Sequence, residues 1–113
     1  MKWIVAIVHE HMAQRVVDAL HALPDVSGAT FTPVRGFGRG RARGGEGTDE
    51  EELLGTTART RVEIAVRDEH SDAVVAAVSR AAHTGKRGDG KVFVLPLERA
   101  VRIGTGDVGG AAV

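Results

Sequence analysis

Residues 8–20, VHEHMAQRVVDAL, and residues 66–78, VRDEHSDAVVAAV, carry their apolar side chains at matching places. At an offset of 58, Val8 falls on Val66, Val16 on Val74, Val17 on Val75 and Leu20 on Val78. In each copy an apolar residue closes an extended run, polar residues follow, and apolar residues then recur at helical spacing. Val16, Val17, Leu20 and Leu23 give one stripe on a helix spanning about 12–23, which Pro24 ends. Val74, Val75 and Val78 form the inner side of a second helix, with Ser71 or Asp72 as its cap and Gly85 as its stop.

The flanks of both copies read as strands. Lys2 to Val8 is a short, β-branched apolar run, and Thr30 to Val34 follows the first helix. Arg61 to Val66 alternates, with Val62, Ile64 and Val66 on one face and Arg61, Glu63 and Ala65 on the other. Val92 to Leu97 closes the second copy. Two βαβ halves in one chain predict an α+β class: a ferredoxin-like βαββαβ sandwich with both helices on one face of the sheet. The other face needs a cover that the chain has no residues left to supply, so subunit association is expected.

The chain has 113 residues, which fits one domain with a thin core. Fifteen basic and fifteen acidic residues cancel, so no global field for nucleic acid or a membrane surface is expected. Cysteine is absent, which excludes disulfides and thiolate metal sites and agrees with a cytoplasmic location. The apolar run from Met1 to Val8 is cut off by His9, Glu10 and His11, unlike a signal peptide. No apolar run approaches the roughly 20 residues of a membrane span, so direct membrane insertion is not expected.

Glycine concentrates in three segments outside the repeat: Gly36-Phe37-Gly38-Arg39 with the long loop after it, Thr84 to Lys91, and the tail through Gly104, Thr105 and Gly106. The second segment is the most informative. Glycines let backbone N–H groups converge on an anion, and Lys86 and Lys91 add mobile positive charge. Gly85 to Lys91 matches the first seven positions of a P-loop, but Val92 stands where a Ser or Thr would bind magnesium, and a strand follows in place of a helix. It is not a Walker motif. A phosphate cradle of another design and a plain glycine turn with solvated lysines both remain open. Arg35, Arg39, Arg41 and Arg43 resemble an RGG-like arm, yet only Phe37 offers a stacking surface and Asp49 to Glu52 follow. A solvated loop is the expectation, and nucleic acid is not an expected partner.

His9 and His11 lie two apart at a strand end and are the weak candidates for a metal site, with no third ligand evident. His21, His70 and His83 are scattered and read as surface residues. No nucleophile–base pair or carboxylate pair suggests catalysis, so an ATPase or an acylphosphatase-like hydrolase is a distant rival.

The three glycine segments, in this order, closely resemble the nitrogen-regulatory PII family. The residues that carry the likeness are Val34 to Arg39, Thr84 to Pro96, and Val101-Arg102-Ile103 with Thr105-Gly106; Arg61 to Ile64 looks like the family's third strand. The likeness spans essentially the whole chain, with one extra residue near Pro24. It implies a homotrimer with an ATP/ADP site in each cleft between neighbours, magnesium being the ion that would accompany the nucleotide. It also implies a partner-docking T-loop at about 37–58, a B-loop at about 83–91 and a C-terminal segment at 98–113. Carried over by position, Gly88, Asp89, Gly90 and Lys91 would hold phosphates together with Arg39 and Arg102. The resemblance also implies nucleotide binding by Gly36, Phe37 and Gly38 at the loop base, and Gly28 and Thr30 match positions near the adenine. The regulated partner would be a metabolic enzyme or a membrane transporter, met through residues 40–58.

Departures from the family pattern are specific. Gly40 stands where a glutamine helps bind magnesium and 2-oxoglutarate, and Arg59 where a lysine pairs with the oxoglutarate carboxylate. The resemblance therefore carries nucleotide binding further than oxoglutarate sensing. Glu52 occupies the modified tyrosine's place in a chain with no tyrosine, which excludes tyrosine uridylylation. Gly104 replaces a second C-terminal arginine, and His9-Glu10-His11 replaces a Lys-Pro-Phe. A metal-responsive regulator using His9 and His11 on the same fold is the alternative reading.

Overall fold

Each half of the repeat builds a strand, a helix and a second strand. The computed structural model describes residues 1–38 and 55–113. Arg39, Gly40, Glu52 and the rest of residues 39–54 lie outside the described residues, and with them most of the expected T-loop. Strand β1 (Lys2–His9) leads through a 3-10 turn (Glu10–Met12) into helix α1 (Ala13–His21), and β2 (Thr30–Gly36) follows. The second half is β3 (Thr57–Val66), α2 (Asp68–Ala82) and β4 (Gly90–Pro96), with a final 3-10 turn at Gly109–Ala112. The strands pair antiparallel in the order β2-β3-β1-β4. This is the ferredoxin-like α+β arrangement that the repeat predicts.

The core lies between the helices and one face of the two central strands. Ile4, Ala6 and Val8 of β1 and Val62, Ile64 and Val66 of β3 meet Val16 and Leu20 of α1 and Val74, Val78 and Ala82 of α2. Val8, Val16 and Leu20 and their counterparts Val66, Val74 and Val78 are all buried, while the fourth repeated pair, Val17 and Val75, is half-buried, so three of the four repeated pairs are core positions. Full burial of each such side chain stabilises by roughly 1.5–3 kcal/mol before entropy is counted.

Several boundaries differ from the sequence reading. Helix α1 stops at His21, ahead of Pro24, where the Leu23 N–H turns back to the Leu20 carbonyl at 3.1 Å. Helix α2 begins at Asp68, with Arg67 at the N-cap, so neither Ser71 nor Asp72 caps it; Ser71 is buried in the first turns. The Asp68 carboxylate meets the chain's amino terminus at 2.9 Å and Lys2 at 3.6 Å, so the helix start is tied to the start of β1. Strand β3 starts at Thr57 rather than Arg61, because β2 supplies partners as far as the Gly36–Thr57 pair. Backbone pairing extends the strand through polar residues that show no alternation.

The second face of the sheet carries Trp3, Val5 and Ile7 of β1 beside Phe93 and Leu95 of β4. They line an open groove of about 560 Å³ together with Arg61. Phe93 and Leu95 remain 48% and 40% exposed, a large apolar area to leave in water. Beyond β4 the chain makes a small hairpin. Val101 bridges Val108, the Arg102 N–H donates to the Asp107 carbonyl at 2.8 Å, and Ile103 stands 98% exposed near its tip. Among the described residues, no helix is long and apolar enough to cross a membrane.

Candidate functional site at the glycine-turn end of the sheet

Strand direction decides which candidate residues come together. The ends of β1 and β2 and the beginnings of β3 and β4 lie along one end of the sheet, as the pairs Gly36–Thr57, His9–Arg59 and Val8–Gly90 require. Gly36, Phe37, Gly38, Arg59, His9 and the turn through Gly88, Asp89, Gly90 and Lys91 therefore share that end. Arg35 closes the base of the long loop there: its Nε donates to the Thr56 hydroxyl at 2.9 Å and its Nη2 to the Thr56 carbonyl at 3.1 Å.

The remaining candidates sit at the opposite end. Thr30 is the first residue of β2, and Gly28 lines a small hollow of about 150 Å³ with Leu20, His21 and Phe31. Arg102 belongs to the C-terminal hairpin, whose roots are also at that end. There the Leu97 N–H donates to the Met1 carbonyl at 3.1 Å, and Arg67 Nε donates to the Gly110 carbonyl at 3.0 Å. A seven-residue strand such as β4 spans about 20 Å, so one chain holds the candidate set in two separated halves.

The turn between α2 and β4 is braced from within by Asp89. Its carboxylate accepts hydrogen bonds from the Thr84 hydroxyl, from the Thr84 N–H at 2.8 Å and from the Gly85 N–H at 3.2 Å. These donors, the Thr84 side chain foremost, pull the Asp89 carboxyl down to about 2. Asp89 is thus a strut, and its negative oxygens face the loop's own donors. Gly90 adopts a φ of +107°, and a Cβ there would fall well inside contact distance of the Ile7 carbonyl oxygen. Only glycine fits this approach of turn to strand. Gly88, at φ +78°, leaves room for a different neighbour, the Arg59 guanidinium.

Sequence reasoning missed the histidines' role in this brace. His9 Nε2 lies 3.2 Å from Asp89 Oδ1, and His83 Nδ1 lies 3.3 Å from Oδ2. Arg59 Nη1 donates to His9 Nδ1, which leaves the ring proton on Nε2, directed at Asp89. Partial burial, Arg59 and His11 together hold His9 below its ordinary value, in spite of Asp89, so the neutral ring is the favoured form. His83 is exposed, as a surface residue should be, but belongs to this cluster. His70, likewise, faces Asp25 at 3.4 Å. His9 and His11 do lie close, with ring centroids 5.0 Å apart. Among the described residues, no group of three or more His, Asp or Glu side chains is arranged to hold a metal ion.

A family model described as nitrogen regulatory protein P-II matches residues 1–107 of the chain. A nitrogen regulatory protein P-II of Azospirillum brasilense is 36% identical over 113 residues, covering all of both chains. The nitrogen regulatory protein GlnK of Escherichia coli K12 is 35% identical over the same full length. A nitrogen regulatory protein P-II 2 of Methanothermobacter thermautotrophicus is 40% identical over 115 aligned positions, all of this chain and 97% of the relative. The chain belongs to the P-II family of nitrogen regulatory, signal-transduction proteins.

Proposed function

We propose that this P-II protein binds ATP and ADP in clefts between copies of itself, as a homotrimer. It then signals their occupancy to a partner protein, an enzyme or a transporter, through residues 40–58. The observation that carries this reading is the division of the candidate set between the two ends of the sheet. Gly36 to Gly38 and Gly88 to Lys91 form one half, and Gly28, Thr30 and Arg102 the other. Two neighbouring copies that cover each other's apolar sheet face can bring opposite ends together. The groove of Trp3, Val5, Ile7, Phe93 and Leu95 is the surface that such a contact would bury.

The chemistry of the first half suits a polyphosphate. Its glycine turn offers close backbone approach, Lys91 stands at the start of β4, and the one carboxylate in the turn has its oxygens engaged by internal donors. Arg39, which the family likeness assigns to the same phosphates, roots the long loop in the sequence directly after Gly38. A terminal phosphate present in ATP and absent in ADP would then bias the loop's conformations, and a differential affinity of about 1–3 kcal/mol suffices for a useful switch. Magnesium would accompany ATP. Its usual glutamine partner is replaced by Gly40, so nothing in the side chain at that position supplies a ligand.

The test is calorimetry with ATP and ADP on the wild type and on Lys91→Ala, with sedimentation velocity for the assembly. Micromolar to millimolar binding that weakens at least about tenfold in the variant, corresponding to about 1.4 kcal/mol, supports the reading. A monomer, or a protein that ignores both nucleotides at millimolar concentration, overturns it.

A further inference from the structure

Arg59 enters the sheet just as the long loop returns, two residues after β3 begins at Thr57. Its partner in the β1–β3 register is His9. The alternation of β3 buries Thr60, Val62, Ile64 and Val66 toward the helices, which sends Arg59 and Arg61 to the open face. Lys91 pairs with Ile7, one of the residues lining the groove on that same face. Arg59 and Lys91 therefore flank the end of β1 from its two sides, and both leave the sheet on the side where the glycine turn opens.

The guanidinium reaches across β1. Nη1 donates to His9 Nδ1, while Nη2 stops 3.2 Å from the point that a Cβ on Gly88 would occupy. His9 is itself held from the far side by Asp89 at 3.2 Å. Among the described residues, no carboxylate pairs with Arg59; its positive charge rests on a neutral ring at the mouth of a glycine turn. Among the described residues, a cation so placed lacks an anion. Glycine at position 88 keeps the space above the turn clear for one.

We infer that Arg59 is a further phosphate-binding side chain for a nucleoside polyphosphate held by the glycine turn, and that His9 positions it there from its brace on Asp89. The inference rests on the nucleotide-binding reading above and adds to it a route into the loop. The side chain that meets the phosphate is attached where residues 40–58 rejoin the sheet, so ligand contact acts on the loop's returning end. His9 touches no ligand. It sets the height and direction of the guanidinium, which would otherwise sample its many rotamers in solvent.

Calorimetry with ATP, ADP and inorganic triphosphate, on the wild type and on Arg59→Ala, Arg59→Lys, His9→Ala, His9→Gln and Lys91→Ala, tests this. Loss of a charge-assisted contact predicts about a tenfold or greater weakening of ATP in Arg59→Ala, with a smaller loss for ADP. Arg59→Lys should recover only part, since the ammonium cannot bond His9 and phosphate as a planar fork. His9→Ala should weaken ATP several-fold, His9→Gln should restore most of that, and His9→Ala should add little to Arg59→Ala in the double variant. Thermal melts of each variant without ligand separate folding from binding. ATP affinity within twofold of wild type in a folded Arg59→Ala, with Lys91→Ala impaired, overturns this inference and leaves the nucleotide site standing. No nucleotide binding by the wild type overturns both.

Discussion

Replacing Gly90 by alanine imposes two costs on the fold at once. The first is conformational: a φ of +107° belongs to a region that side chains with a Cβ rarely enter, at about 1–3 kcal/mol. The second is steric. The new Cβ would meet the carbonyl oxygen of Ile7, a backbone atom fixed by β3 on one side and β4 on the other. Nothing flexible can yield, so the first pair of β4, Val8 with Gly90, must separate, which costs about 0.5–1.5 kcal/mol per hydrogen bond lost. Together these come to about 2–4 kcal/mol, a large share of a domain's usual 5–15 kcal/mol or so. Urea unfolding followed by Trp3 fluorescence and circular dichroism, at one fixed protein concentration, measures it. With a slope of about 2 kcal/mol per molar, the midpoint should fall by about 1–2 M. Gly88→Ala should lose less, about 1–2 kcal/mol, because the neighbour in its way is the movable end of Arg59. Gly38→Ala, with no atom of the described residues within 4 Å and no positive φ, should stay within about 0.5 kcal/mol of wild type. A midpoint for Gly90→Ala equal to that of Gly38→Ala would refute the account of the turn.

Ile64→Ala removes a side chain 1% exposed between the two helices and β1; it should cost about 2–5 kcal/mol in the same assay. The Asp89 carboxyl ionises more readily in the folded chain, at about 2 against 3.8, so its contribution is complete above 3.8 and is lost as the pH falls toward 2. An acid titration of stability should therefore be less steep over that window in Asp89→Asn than in wild type. His9 is also held below its ordinary 6.5, so the unfolded chain takes up the proton first and stability should decline as pH drops below that value; His9→Gln should flatten this part of the curve. Leu95→Asp places a charge on the open face of the sheet opposite Trp3. It should shift sedimentation toward the monomer while leaving the helical circular dichroism signal of the monomer intact.

The fold was legible because its core is written twice. Val8, Val16 and Leu20 recur as Val66, Val74 and Val78, and period and spacing are local properties that need no knowledge of the third dimension. The unpaired face was legible too, as a sheet with more apolar strand than helix to cover it. The boundaries of β3 and α2 were not. Thr57 to Thr60 become strand because β2 lies beside them, and Asp68 starts a helix at the place where the amino terminus and Lys2 offer it charge.

The sequence by itself determined the two βαβ halves, the glycine turn before the last strand and the family that these define, since each is a matter of order and spacing along the chain. Only the tertiary structure decided that Asp89 braces the turn with its carboxylate, that His9 joins Arg59 to Asp89, and that the candidate residues fall at opposite ends of the sheet. The contacts of His9 with Arg59 and Asp89 link residues 50 and more positions apart. Strand order sets them, and no local pattern of side chains encodes which strand end will lie beside which.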